Sequence, residues 1–188
     1  MVQKLDYLVE TPSQTAGPYV HIGCTPNFVG IHGIYDEDLA RHPFPADAPG
    51  ERITVSGTVT DGTGTLLRDV LCESWQAGAD GTFGPGHQGF CRFVPDFETG
   101  EWSFTTIKPG AVDGQAPHIS LWLVARGINI GLQTRMYFEG DDLSTDPVLA
   151  RVEHRNRIPT LVAKDTGNGT WRFDIRLQGE GETIFLDL

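Results

Sequence analysis

The chain reads as an all-β protein, a sandwich of short strands, on three observations. Short runs rich in β-branched and aromatic residues recur along it, and 23 glycines and 12 prolines are spread between them. One run, Arg52-Ile53-Thr54-Val55-Ser56-Gly57-Thr58-Val59-Thr60, alternates apolar with polar at a period of two. That period buries one face of a strand, and glycine and proline supply the turns that join strands.

The elements follow in order. Residues 1–50 carry prolines at 12, 18, 26, 43, 45 and 49 and little hydrophobic period, so they are expected to form an irregular N-terminal arm. Residues 51–188 are expected to form the sandwich core of a single domain, with no linker dividing it. After the strand at 52–60, Asp61-Gly62-Thr63-Gly64 has turn chemistry, and a second strand is predicted at 69–75. Further strands are predicted at 89–94, 101–107, 118–125, 129–138, 170–177 and 183–186. Only 146–156 suggests a helix, with Asp146 as its cap and Pro147 at its first position.

At 188 residues the chain is long enough to bury a sizeable core, and its 39% hydrophobic content is too high for a disordered one. The start, MVQKLDYLVETPSQ, has no apolar stretch of the kind a signal peptide needs, and no apolar run approaches a membrane span. Three cysteines, Cys24, Cys72 and Cys91, form no CxxC pair, so reduced thiols in the cytoplasm are expected. A formal charge of −11 argues against nucleic acid or an anionic membrane as partner.

Candidate chemistry is sparse. Of the six histidines, no two stand at metal-ligand spacing, and HExxH, the nucleophile elbow and the phosphate loop are absent. His118 and Ser120 would share one face of a strand, half of a His-x-His metal site. Spacing alone reads such a histidine more often as a core residue. Gly17-Pro18-Tyr19 forms a stiff turn carrying an aromatic hydroxyl, suited to packing on a partner or to closing a pocket. Ala125-Arg126-Gly127 puts a guanidinium at a strand end; a surface arginine and a carboxylate-gripping one are both compatible with it.

Three motifs in order carry a resemblance that covers nearly the whole chain: TPSQTAGPYVHIG near the start, APHISLWLVARGINI in the middle and RFDIRLQGEGETIFLDL at the end. The chain resembles the intradiol ring-cleavage dioxygenases, and within them the non-iron alpha chains of enzymes built from alpha and beta chains. The resemblance implies a β-sandwich with an N-terminal arm that packs on the partner chain. It implies a large alpha–beta hetero-oligomer whose beta chain holds Fe(III) through two tyrosines and two histidines. The substrates it implies are protocatechuate and O2.

Residue by residue, the resemblance sets Phe83 and Val112 where the iron-bearing chains have ligand tyrosines, and His118 and Ser120 where they have the two histidines. Catalytic chains also have arginine where this one has Gln115, and glutamine where it has Arg135. Three of the four ligand positions therefore bind ferric iron poorly, and no catalytic residue is expected on this chain. The same resemblance assigns Gly17, Pro18, Tyr19 and Arg126, with Thr15 beside them, to the wall of the partner's substrate pocket. A β-sandwich scaffold that joins no catalytic complex is the alternative. Retention of TPSQTAGPY and ARGINI weighs against it.

Overall fold

The computed structural model describes residues 15–17, 19–86 and 88–187. One short helix, α1 (Tyr19–Cys24), precedes nine strands: β1 (Arg52–Thr60), β2 (Leu71–Trp75), β3 (Phe90–Phe93), β4 (Glu101–Ile107), β5 (His118–Val124), β6 (Leu132–Phe138), β7 (Val162–Gly167), β8 (Thr170–Arg172) and β9 (Ile175–Arg176). Strands β3-β2-β5-β6 make one layer and β8-β1-β4 the other, with β9 paired to β1. β7 joins the layers: Val162 and Ala163 pair in parallel with Tyr137 and Phe138 of β6, and residues 164–167 then pair antiparallel with β8.

Alternation along the strands builds the core. β1 buries Ile53, Val55 and Val59, β5 buries Ile119, Leu121 and Leu123, and these meet Phe93, Trp102, Phe104, Met136, Phe138 and Trp171 between the layers. The rings of Phe93 and Phe104 stack at 4.7 Å, and Phe138 meets Trp171 edge-on at 5.0 Å. Gly57 interrupts the run of side chains because a Cβ there would fall 1.8 Å from the Phe173 carbonyl oxygen. The all-β sandwich predicted from the strand pattern is thus the fold observed.

Five elements differ from expectation, one of them the strand predicted over 170–177, which is broken into β8 and β9. The helix predicted over 146–156 is replaced by 3-10 turns, Leu149–Arg151 and Arg155–Leu161, the second containing Pro159. Asp146 does cap, since its Oδ1 accepts the amides of Val148 and Leu149 at 2.8 and 3.0 Å. Buried Leu149 and Leu161 draw the segment onto a second core with Ala116 and Tyr137. α1 lies in the arm, and at six residues it shows no usable period. β7 is exposed from Lys164 onward and gives no alternation to read. Residues 183–186 run beside β6 without forming a strand, held by Leu186 N to the Gln133 carbonyl and by Thr134 Oγ1 to that of Ile184.

The later part of the arm lies along this chain's own β3 edge. The amides of Gly89 and Arg92 donate to the carbonyls of Pro43 and Ala40, both at 2.8 Å. A covered edge cannot pair with another chain. No helix among the described residues is long and apolar enough to cross a membrane.

Candidate functional site

The residues singled out by sequence fall at the two ends of β5, roughly 20 Å apart along the strand at its usual rise. At the first end, His118 is buried, its Nδ1 donates to the Ala116 carbonyl at 2.8 Å, and its ring lies 5.8 Å from that of Tyr137. Burial lowers its pKa, and the nearby Arg135 acts in the same direction, so the ring is held neutral. Ser120 is paired across the sheet with Trp75 on one side and Arg135 on the other. Phe83 stacks on Trp75 at 6.1 Å, with both rings partly in solvent, and Val112 closes a small bridge with Gln115.

Polar groups fasten this end. Arg135 Nη1 donates to Gln115 Oε1 at 2.5 Å, tying the loop before β5 to β6. Asp146 is buried and accepts the Ala116 amide with Oδ2 at 2.9 Å, opposite the two turn amides on Oδ1. Burial pushes the Tyr137 hydroxyl up to about 12, so it stays protonated, 3.4 Å from Asp146 Oδ1.

At the other end the arm returns. Thr15 Oγ1 donates to the Ala125 carbonyl at 3.1 Å and accepts the Gly127 amide at 2.8 Å. The side chain of Arg126, between them, is 77% exposed and pairs with Asp69 Oδ2 at 3.2 Å. The carbonyl of Gly17 accepts the Val20 amide at 3.1 Å, which turns the chain into α1, and Tyr19 at the start of that helix is 78% exposed. Pro18 and residues 11–14 of the first motif lie outside the described residues. The structure thus brings Thr15 and Arg126 into one cluster and sets Phe83, Val112, His118 and Ser120, the positions matched to iron ligands, at the opposite end. Sequence reasoning missed the Asp69 ion pair, the bond from the Ala116 amide to Asp146, and the direct contact between Gln115 and Arg135.

Residues 24–179 match the family model described as Dioxygenase. The protocatechuate 3,4-dioxygenase alpha chain of Pseudomonas putida is 44% identical, over 97% of this chain and 98% of that one. The chain belongs to the intradiol ring-cleavage dioxygenase family. A protocatechuate 3,4-dioxygenase beta chain from Burkholderia cepacia is 34% identical over 80% of this chain and 75% of its own. Among solved structures, the dioxygenase domain of a dioxygenase–carbohydrate-binding protein fusion from Streptomyces sp. SirexAA-E superposes with a TM-score of 0.59 at 26% identity, covering 74% of this chain and 87% of that one.

Intradiol dioxygenases are non-haem iron enzymes, so the donor set decides whether this chain fits the metal. Phe83 and Val112 carry no donor atom and Ser120 offers a neutral hydroxyl, so of the four positions His118 alone, through Nε2 with Nδ1 on a carbonyl, has a good donor, and one imidazole does not hold the ion. A hard, highly charged ion wants anionic oxygen donors, and these positions supply none. The residues present do not fit ferric iron.

Proposed function

We propose that this chain is the non-iron alpha subunit of a protocatechuate 3,4-dioxygenase. With an iron-bearing beta subunit it cleaves protocatechuate with O2 between the two hydroxyl-bearing carbons, giving 3-carboxy-cis,cis-muconate. One observation carries the reading: near-full-length likeness to an alpha chain of that name, in a chain whose own ligand positions do not make a ferric site. Ferric iron belongs to the beta chain, and the two chains assemble into a large hetero-oligomer in the cytoplasm, where the three thiols stay reduced. Large apolar groups left in solvent, among them Tyr19, Phe83 and Ile130, support a partner surface.

In this reading the alpha chain acts by shaping its partner's pocket. Gly17, Pro18 and Tyr19 form part of the wall, and Arg126 offers a cation to the carboxylate of the substrate. Arginine suits that role because its planar fork stays charged and meets a carboxylate with two donors. The test is oxygen uptake with protocatechuate. The chain purified alone is expected to be inactive, and the chain co-expressed with a beta partner active. Equal activity of the beta chain with and without this one overturns the assignment.

A further inference from the structure

We propose that Thr15 is a positioning residue for Arg126: its hydroxyl links the arm to the turn that aims the guanidinium, and so favours carboxylated over uncharged catechols. The inference rests on the reading above, in which Arg126 faces an anionic substrate. Its own evidence is geometric. The two backbone groups that Thr15 Oγ1 engages, the carbonyl of Ala125 and the amide of Gly127, flank Arg126 directly. Ile128 N also donates to the Ala125 carbonyl at 3.1 Å, and Gly127 has φ of 88°, so Arg126 occupies the second position of a tight turn whose third position requires glycine.

That turn sets the direction in which Arg126 leaves the backbone. Beyond it, the side chain has the Asp69 ion pair, and a pair this exposed fixes little. The hydroxyl that clasps the turn comes from a residue more than a hundred positions away in sequence, on the arm. Position of the arm and direction of the arginine are therefore one variable. Thr15 enters the site through the two backbone groups that flank Arg126, which are nearer to its hydroxyl than the Ala16 carbonyl at 3.4 Å.

The experiment uses the alpha–beta complex and two substrates. Protocatechuate carries a carboxylate that catechol lacks, while both present the same pair of ring hydroxyls. Thr15→Val keeps the shape and removes the hydroxyl. It is expected to raise KM for protocatechuate about three- to tenfold, the scale of one or two net hydrogen bonds. The catechol constant, measured as alternative substrate or competitive inhibitor, should stay within about twofold, since it lacks the group the arginine recognises. Thr15→Ser should restore selectivity. Arg126→Ala should show the same selective loss, with Thr15→Val adding little on that background. Unaltered protocatechuate KM in Thr15→Val, or equal changes for both ligands beside a selective Arg126→Ala, overturns the role of Thr15. If Arg126→Ala itself leaves the preference between substrates unchanged, the assignment of Arg126 falls and this proposal with it.

Discussion

Asp146→Ala is expected to destabilise the chain by about 3–5 kcal/mol, the range for removing a buried charge that serves several donors. The carboxylate is almost fully buried and collects three amides, those of Ala116, Val148 and Leu149, between 2.8 and 3.0 Å. Alanine leaves all three donors without an acceptor and opens space beside the Tyr137 hydroxyl. Asp146→Asn should fall between: its amide oxygen can serve Val148 and Leu149, but its NH2 then faces the Ala116 amide, donor against donor. For a chain of this size each kcal/mol moves the melting temperature by about 2–4 °C, so the alanine variant should melt roughly 10 °C lower. Thermal unfolding of the three proteins checks the order, and an alanine variant as stable as the parent refutes the role.

The second large effect concerns Gln115 and Arg135. The family resemblance sets these two where catalytic chains have arginine and glutamine, an exchange of types, and here the side chains touch. Arg135 is held tightly enough that its Nε is buried with no hydrogen-bond partner among the described residues. Gln115→Arg alone sets two guanidinium groups together and should cost about 2–4 kcal/mol. Arg135→Gln alone removes the charged donor and should cost about 1–3 kcal/mol. The reciprocal double change restores an Arg–Gln pair and should return to within about 1 kcal/mol of the parent, a strong coupling by double-mutant cycle. Urea unfolding of the four proteins measures it. Additive losses would mean that the contact carries no energy and that the exchange is accidental.

How much of this was legible in sequence depends on how local the cause is. β1 and β4 were readable to the residue, because alternation at period two is written within each strand. α1, β7 and the turned segment after Asp146 were not, because they are held by tertiary packing and leave no period of their own. The poor donors at Phe83, Val112 and Ser120 were legible, since donor atoms belong to residue types. The contact formed beside them was hidden. Gln115 and Arg135 read as two separate losses until the fold brought them together, although a reciprocal exchange was itself a signal of contact. Thr15 and Arg126 lie more than a hundred residues apart, and no spacing rule connects an arm to the end of β5.

This chain is expected to work beside a metal it does not hold. Iron and protein should be quantified on the purified alpha–beta complex and on this chain alone. One ferric ion for each alpha–beta pair is expected, with none retained by the isolated chain. Two ions for each pair, or stoichiometric iron on the chain by itself, would contradict it.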